Sequence, residues 1–258
     1  MNDRATINSV GKAFRVLELF SGSNSGYTLT EIVRKLGISM GAAQRITNTL
    51  VELRYLHRDP KMKAFRLTPK FLYFGSAFLN QSEIREIALL HLRKLNEETD
   101  EVVNLAVMIN DEEIVYIDRI DKTSHILITN LRVGARRPVH LNAIGKVILA
   151  FLPESDQRRI LNHISFEKYP SKTLRRRSEL EDQLRKIREL GYSANQSELY
   201  ADVFALAAPV LDHQALPVAG INIAIPMSRL SHSKVQSQYI PLLIETGKKI
   251  SQALGARE

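Results

Sequence analysis

The clearest pattern of hydrophobic and polar positions lies between residues 28 and 50, where two short segments with helical spacing flank a glycine. Gly37 suits the end of the first predicted helix, because glycine readily adopts the left-handed conformation found there. Ser39 stands where its side chain can cap the second helix. The apolar positions that define the two helices are Ile32, Val33, Leu36, Ala43, Ile46 and Leu50. The pattern predicts a helix-turn-helix, and an ordinary helical hairpin fits it equally well.

Further elements flank this pair of helices. A helix is predicted from Val10 to Phe20, with Ser9 as its cap. After the pair, the alternating segments 55–58 and 64–67 enclose a turn and predict a β-hairpin. Three helices closed by a hairpin make a winged helix-turn-helix, unless the hairpin merely carries a solvated charged face. The hairpin cations with the reach to contact phosphate are Arg58, Lys61, Lys63 and Arg66.

Two more helices are predicted before the composition changes. Pro69 ends the hairpin and can stand in the first turn of a helix from Lys70 to Asn80. That helix is too apolar for a bare linker, so we expect it to pack against its own domain or against a partner subunit. A second helix covers Ser82 to Glu98, and strands dominate from Glu101 onward.

The second half of the chain mixes strands and helices. Strands are predicted at Val102–Ile109, Glu113–Ile120, His125–Arg132, Tyr192–Asn195, Val203–Leu211 and Val218–Ile225. Helices are predicted at Val147–Leu152, opened by residues 142–146, and at Glu154–Asn162, Ser178–Leu190 and Val235–Leu254. Residues 134–138 are predicted to form a basic loop. Antiparallel hairpins with helices beside them make an α+β, sensor-like domain.

The distribution of charge separates the two alternatives for the first domain. Residues 1–80 hold 12 Lys and Arg against 5 Asp and Glu, whereas the remaining 178 residues hold 24 against 23. Nearly all of the net charge of +8 therefore lies on the segment with the helix-turn-helix pattern. A basic balance is often only a solvated surface, but its confinement to this segment favours a polyanionic partner such as DNA.

Composition also limits the compartment and the chemistry. With 44% hydrophobic and 25% charged residues, the 258-residue chain has the composition of a globular protein with a core. There are no cysteines, which excludes disulfides and thiolate metal sites, and there is no apolar run long enough to cross a membrane. The polar start of the chain lacks the apolar core of a signal peptide. We therefore expect a cytoplasmic protein that neither spans a membrane nor is secreted.

Known catalytic and cofactor motifs are missing from the chain. Gly145-Lys146 is followed by Val147, so the phosphate-loop pattern fails. No nucleophile elbow occurs, and the seven histidines do not have metal-ligand spacing. His140, beside a predicted helix start, is the best placed of them, and a structural role suits it better than a metal. We expect no catalytic residue, no metal and no cofactor.

The second domain instead has the outline of a small-ligand site. The helix start at Asn142–Lys146 is expected to offer free backbone N–H groups and the positive end of the helix dipole to an anion. Asn195 and Asn222 are polar residues on otherwise apolar strands, so they either point into a pocket or lie at strand ends facing water. Such a pocket would be rich in amides and has no evident arginine.

Several stretches, far apart and in order, resemble the IclR-type bacterial transcriptional regulators over essentially the whole chain. They are Leu36–Ser39 with Arg45, Tyr55-Leu56, Leu67–Lys70, Val115–Asp118, Ala143–Ala150, Gly191-Tyr192 and Ala207–Val210. The resemblance implies an N-terminal winged helix at residues 1–68, a linker helix at 69–81, and a GAF-like effector-binding and oligomerisation domain at 82–258. It also implies a homodimer, or a dimer of dimers, that binds double-stranded operator DNA in response to a small organic acid.

The same resemblance assigns roles to individual positions. Ser39 would cap the reading helix and meet phosphate, whereas Gln44 and Arg45 would enter the major groove and could pair with adenine and guanine. The expected DNA-binding residues are Ser39, Met40, Gln44, Arg45, Arg58, Lys61 and Lys63. The expected effector-binding residues are Ile126, Thr129, Ala143, Ile144, Asn195, Ala205, Asn222 and Ala224.

Two departures from the family pattern change the expected contacts. Gly41-Ala42 stand where many relatives have two hydroxyl residues, so fewer hydroxyls face the phosphates. Asp202 stands where a glycine often follows the pocket-side glutamate, here Glu198, which changes the expected loop shape.

The expected function is regulation of a catabolic operon, with release, repression or activation in response to the acid. The alternative class is a metabolite-processing enzyme with a fused basic domain. That alternative needs a convergent acid/base pair, and the sequence offers none.

Overall fold

The structure is a computed structural model that describes residues 6–22, 26–121, 131–166, 176–196 and 202–256. The chain folds as two compact units, Met1–Gln81 and Ser82–Glu258. The fold class is α+β, with an N-terminal winged helix-turn-helix and a C-terminal sheet domain, as the sequence predicts.

The described residues of the N-terminal unit form four α-helices and a three-stranded antiparallel sheet with the strand order β1-β3-β2. Its elements are α1 Asn8–Leu19, β1 Tyr27–Thr28, α2 Leu29–Leu36, α3 Met40–Glu52, β2 Leu56–Arg58, β3 Ala64–Leu67 and α4 Phe71–Gln81. Strand β1 was not predicted, and it pairs with β3 through Tyr27 opposite Phe65. The prediction that Ser9 caps α1 is wrong, because α1 begins at Asn8 and its N-cap is Ile7.

Local side-chain chemistry fixes the two central helices. Thr28 Oγ1 accepts a hydrogen bond from the backbone N–H of Glu31, and the Glu31 carboxylate accepts one from the backbone N–H of Thr28, which together form a capping box at the start of α2. Gly37 ends α2 with a φ of 63°. Ser39 Oγ accepts from the N–H of Ala42 at 3.3 Å and so caps α3, as predicted.

The start of α4 is fastened to the end of α3. The Lys70 ammonium donates to the Leu53 carbonyl at 2.9 Å and lies 4.3 Å from the centre of the Tyr55 ring. Phe71 and Phe74 also pack against Tyr55, with ring centres 5.3 and 6.0 Å away. The first turn of α4 is therefore held on the C-terminal end of the helix-turn-helix.

The helix α4 also keeps an apolar surface. None of its side chains is buried. Its large exposed side chains are Leu72 at 71%, Tyr73 at 75%, Phe74 at 60% and Phe78 at 52% of their full accessible area. The expected packing of α4 against its own domain therefore leaves these four large side chains more than half exposed.

The C-terminal unit is built on a six-stranded antiparallel sheet with the order β6-β5-β4-β9-β8-β7. Its strands are β4 Val102–Met108, β5 Glu113–Ile120, β6 Arg136–Pro138, β7 Ser193–Gln196, β8 Val203–Leu211 and β9 Pro217–Pro226. Its helices are α5 Glu83–Thr99, α6 Ala143–Phe151, α7 Glu154–His163, α8 Arg177–Leu190, α9 His232–Lys234 and α10 Ile240–Ala253.

Three sequence predictions for this unit need correction or restriction. Residues 136–138 of the expected basic loop form strand β6, which pairs with β5. The last helix is interrupted, because residues 235–239 form a π-helical turn before α10. The predicted strand at residues 125–132 lies mostly outside the described residues.

Helices lie on both faces of this sheet. A Cβ on Gly220 of β9 would touch Ile144 and Val147, so α6 packs against that face. A Cβ on Gly247 of α10 would touch Ala208 and Pro209 from the other side. On that second face the α5 side chain of Arg85 pairs with the buried carboxylate of Asp118 at 3.0 Å. The sheet is therefore an inner layer with helices on both sides, and each of its side chains points toward one face or the other.

Candidate nucleic-acid interface and effector site

The outer face of α3 presents polar side chains to solvent. Its inner side buries Ala43, Thr47 and Leu50. The predicted residues Ser39, Met40, Gln44 and Arg45 are all exposed. Because residues three and four apart share a helix face, they form one continuous surface.

Asn48, one turn after Gln44, is also exposed on α3. The sequence prediction missed it, although the i, i+4 spacing from Gln44 indicates it.

The hairpin places its cations around a tight turn. The Asp59 carboxylate accepts hydrogen bonds from the backbone N–H groups of Lys61 and Met62, at 2.9 and 3.1 Å. These two bonds lower the pKa of Asp59, so the carboxylate that holds the turn stays ionised. Lys63 closes the turn with a φ of 52°. The turn therefore has a defined shape rather than only a charged composition.

The predicted phosphate-contacting cations are exposed and lack acidic partners. Arg58, Lys61 and Lys63 are exposed, as is Arg45 on α3. Within the described part of the chain, none of these four side chains has a carboxylate within ion-pair distance. Arg66 differs, because Asp59 lies 4.0 Å from it. An anion would therefore find four cations without having to displace a carboxylate.

In the second unit, the start of α6 is buried and capped from within. Residues 143–150 are all buried. The backbone N–H groups of Ile144 and Gly145 both donate to Asn142 Oδ1, at 2.9 and 3.4 Å. The expectation that this helix start offers free N–H groups is therefore wrong for these two positions, because the side chain of Asn142 already satisfies them.

Two further hydrogen bonds hold this helix start over the sheet. Asn142 Nδ2 donates to the Tyr116 hydroxyl on β5 at 2.7 Å. From the edge strand β7, Asn195 Nδ2 donates to the carbonyl of Leu141 at 2.9 Å. The adjacent residues Leu141 and Asn142, just before α6, are thus hydrogen-bonded to β7 and β5, on the sheet face that α6 covers.

A row of polar side chains runs across the sheet on the α6 face. The strand register places Arg119 of β5 opposite Asn104 of β4, and Asn104 opposite Asn222 of β9. Asn104 Nδ2 donates to Asn222 Oδ1 at 2.8 Å, and Arg119 Nη1 lies 3.5 Å from Asn104 Oδ1. Both asparagines are buried, so the alternative in which Asn222 faces water is excluded.

Asn195 is the second predicted asparagine, and it is also buried, at 7% exposure. Its Nδ2 is used by Leu141, whereas its Oδ1 has no hydrogen-bond donor among the described residues. Ser193, two residues earlier on the same strand, has a buried hydroxyl that is likewise without a described partner. A buried acceptor without a donor costs free energy, so this corner can gain from a ligand that donates a hydrogen bond.

The other predicted effector residues surround these groups to different degrees. Ala143 and Ile144 are buried at the start of α6, and Ile144 packs over Gly220. Ala205 and Ala224 lie opposite each other on neighbouring strands, in line with Asn195. Ile126, Thr129 and the loop residue Glu198 lie outside the described residues.

Sequence reasoning missed Asn104, Tyr116 and Arg119. Each one is an ordinary polar or aromatic residue in its own strand, and only the register of the sheet brings Asn104 and Arg119 beside Asn222. The statement that the site has no evident arginine is therefore corrected by Arg119.

His140 lies within the buried segment before α6. Burial, and secondarily the charge of Lys146, lowers the pKa of His140 to about 4. The imidazole is therefore neutral near pH 7, and it packs edge-on against Phe166 with ring centres 5.6 Å apart. Lys146 is buried too, and its ammonium donates to Gln183 Oε1 at 2.9 Å.

Neither metal binding nor membrane insertion is indicated by the described residues. They contain no group of three His, Asp or Glu side chains arranged to hold a metal ion. Among them there is also no helix that combines the length and the apolar character needed to cross a bilayer.

Comparisons with known proteins match both units. The IclR helix-turn-helix domain model matches residues 9–60, and the model of the bacterial transcriptional regulator IclR C-terminal domain matches residues 76–252. The chain is 27% identical over 250 residues to the HTH-type transcriptional regulator KdgR of Escherichia coli K12, covering 97% of this chain and 94% of KdgR. It is 29% identical over 250 residues to XynR of the same organism, covering 96% and 98%.

Solved structures give the same result. An IclR family transcriptional regulator from Brucella abortus superposes with a TM-score of 0.84 at 27% identity, over 97% of this chain and 94% of that one. An IclR homologue from Microbacterium hydrocarbonoxydans, complexed with 4-hydroxybenzoate, has a TM-score of 0.74 at 21% identity, over 95% and 98% of the two chains. The latter likeness shows the fold.

An exposed reading helix and basic hairpin, joined in one chain to a sheet domain with a buried polar site, define a ligand-responsive transcription regulator. Its relatives are transcriptional regulators, a class not known to be enzymatic, which answers the enzyme alternative. The chain belongs to the IclR family of bacterial transcriptional regulators.

Proposed function

We propose that this regulator binds operator DNA through the outer face of α3 and the hairpin, and that a small organic acid bound on the α6 face of the sheet controls it. The regulated genes would form a catabolic operon, and the protein would act in the cytoplasm as a homodimer or a dimer of dimers. No cofactor is required. The single observation that carries the DNA assignment is the set of exposed cations on α3 and the hairpin without acidic partners.

The roles of the DNA-contacting residues follow from their positions. Arg45 and Gln44 share the exposed face of α3, where a guanidinium or an amide can bind a base edge in the major groove. Arg58, Lys61 and Lys63 lie on the hairpin, where cations contact phosphates and fix the register on the duplex. Arg45 should therefore carry sequence preference, and the hairpin cations should carry affinity.

The effector assignment rests on the buried polar groups of the C-terminal unit. Asn104, Asn222 and Asn195 lie on the sheet face covered by the start of α6. Apolar walls with a few converging polar groups are typical of small-ligand sites. That a homologue of the same fold is complexed with 4-hydroxybenzoate supports an aromatic or other small carboxylate as the class to test first.

The assembly proposal rests on α4. Four large side chains of this helix are more than half exposed in the single chain, namely Leu72, Tyr73, Phe74 and Phe78. Exposed apolar patches of this kind mark protein–protein contacts. A second copy of the chain that packs its own α4 against this face would bury them in a symmetric interface.

DNA reading is tested by selecting bound duplexes from a random-sequence library with the full chain and measuring affinities by gel shift. Arg45→Ala should weaken binding to the selected duplex by about 1–3 kcal/mol, because a bidentate base contact is lost. It should also relax the sequence preference at one base pair. Arg158→Ala, an exposed arginine of α7, is the matched control and should bind as the wild type does. If Arg45→Ala keeps both affinity and preference, Arg45 does not read the sequence.

The effector class is tested by a thermal-shift screen of small carboxylates and aromatic acids. A ligand that binds only the folded chain raises its melting temperature by mass action. Any acid found this way should also change the affinity of the full chain for the selected duplex. Acids that stabilise the protein but leave DNA affinity unchanged would contradict the regulatory part of the proposal.

A further inference from the structure

We propose that Arg119 receives the carboxylate of the effector, and that Asp121 neutralises its guanidinium when no ligand is bound. This inference rests on the proposed function, since it concerns the acid that the C-terminal unit would bind. It names a residue and a chemical contact for which neither the pattern of the sequence nor the family resemblance gave any indication.

The position of Arg119 follows from the sheet register. It lies on β5 directly opposite Asn104, which lies opposite Asn222, so the three side chains share the face that α6 covers. Tyr116, three residues earlier on β5, holds Asn142 at the start of α6. Arg119 therefore stands at the end of the buried polar row, on the sheet face that α6 covers.

The guanidinium has hydrogen-bonding capacity to spare. It carries five N–H donors in a planar fork that matches a carboxylate. Its described bonds run from Nη1 to Asn104 Oδ1 at 3.5 Å and from Nη2 to Asp121 Oδ2 at 2.8 Å. The first of these is long, and Asn104 is already committed to Asn222 through its Nδ2. An entering carboxylate could therefore take two parallel bonds from Arg119 without breaking the asparagine pair.

The present ionic partner of Arg119 is exchangeable. The Arg119 side chain is only 14% exposed, whereas the Asp121 side chain is 32% exposed and follows the last residue of β5. A partly solvated ion pair of this kind is weak, so a ligand carboxylate can compete with it.

The neighbouring carboxylate of Asp118 does not compete for the guanidinium. It points to the opposite face of the sheet, where it forms an ion pair with Arg85 at 3.0 Å. The hydrogen bond that it accepts from Arg119 comes from the backbone N–H and not from the guanidinium. Within the described residues, Asp121 is the carboxylate that lies within ion-pair distance of Arg119.

Other basic groups near the site fit this role less well. Lys146 is buried among apolar residues and donates to Gln183 on α8, and His140 is neutral near pH 7. The N–H groups of Ile144 and Gly145 are already bonded to Asn142. Arg119 is the cation that combines spare donors, a solvated counter-ion and a place on the polar row.

The test compares acids with their uncharged analogues on the full chain. Benzoate, 4-hydroxybenzoate and pyruvate are each paired with the corresponding amide, and dissociation constants are measured by thermal shift and by calorimetric titration. We expect at least one acid to bind and its amide to bind much more weakly. Arg119→Gln should weaken the binding of that acid by about 30-fold or more, because the buried carboxylate of the ligand loses its charged partner. Arg119→Lys should lose less of the acid affinity than Arg119→Gln, because lysine keeps the positive charge but not the planar, two-pronged donor geometry of the guanidinium.

Two further variants separate ligand binding from loss of structure. Asp121→Asn removes the competing carboxylate and should tighten acid binding several-fold, a gain that general destabilisation cannot produce. Arg136→Gln removes another arginine of the same sheet, which pairs with Glu113 at 3.2 Å, and should leave acid affinity unchanged. If an acid binds Arg119→Gln and wild type equally, the assignment of Arg119 is wrong while the effector function stands. If no acid binds the wild type more tightly than its amide, both are wrong.

Discussion

Gly145 is the position at which a single methyl group tests the proposed effector site most severely. A Cβ added there would lie 2.1 Å from the Val139 carbonyl oxygen and 2.6 Å from the Val139 Cα, whereas carbon atoms in contact are separated by about 3.5 Å or more. The segment 139–141 would have to move by about 1 Å. That movement would strain the hydrogen bond from Asn195 Nδ2 to the Leu141 carbonyl.

The cost of Gly145→Ala can be worked from these contacts. Overpacking against fixed backbone costs about 1–3 kcal/mol, and a buried hydrogen bond lost in the adjustment costs about 1–3 kcal/mol more. The sum is roughly 2–6 kcal/mol. For a unit of this size each kcal/mol lowers the melting temperature by about 2–4 °C, so the transition of the C-terminal unit should fall by roughly 4–24 °C.

Differential scanning calorimetry of the full chain measures this loss, with Gly220→Ala as the matched control. There the added Cβ would meet the Cγ2 methyl of Ile144 at 2.7 Å, a side-chain atom that can shift more easily than backbone. We expect Gly220→Ala to cost about half as much or less. If Gly145→Ala unfolds within about 1 kcal/mol of the wild type, the start of α6 is not held against residues 139–141 as described.

Two further predictions concern stability. Thr28→Ala removes the capping box of α2 and should lower the free energy of unfolding of the N-terminal unit by about 1 kcal/mol, whereas Thr28→Ser should retain most of it; urea unfolding distinguishes them. His140 has a folded pKa of about 4, below its ordinary value near 6.5, so the unfolded chain takes up the proton first. The contribution of neutral His140 to the free energy of unfolding is therefore complete above about pH 6.5. It falls by roughly 3 kcal/mol as the pH drops to 4. His140→Gln should flatten this pH dependence, and the exposed His163→Gln should not.

The helix-turn-helix was predictable because its determinants are local. Gly37 and Ser39 act within one helical turn, and both do in the structure what their residue types favour. The capping box was not predicted, although Thr28 and Glu31 have the spacing that it requires. Strand β1 could not be read from two residues, because its pairing with β3 depends on the position of Phe65 along the chain.

The candidate effector site was predictable only in part, and for a different reason. Asn195 and Asn222 stand out as polar residues in apolar strands, and both are buried as that contrast suggests. Asn104 and Arg119 could not be predicted as site residues, because only the sheet register brings them beside Asn222, more than 100 positions further along the chain. The helix start illustrates a competing effect, because the Asn142 side chain that begins α6 also occupies the N–H groups an anion would need.

The central claim, that the chain binds DNA through the exposed cations of α3 and the hairpin, is tested most directly by the salt dependence of duplex binding. Arg45, Arg58, Lys61 and Lys63 lack acidic partners among the described residues, so each can release a counterion from the DNA. With the three hairpin cations on phosphates, the slope of log affinity against log salt should be about −3 for each bound chain, and Lys61→Ala with Lys63→Ala should reduce its magnitude by about 2. A slope near zero, or one that this double substitution leaves unchanged, would contradict the account.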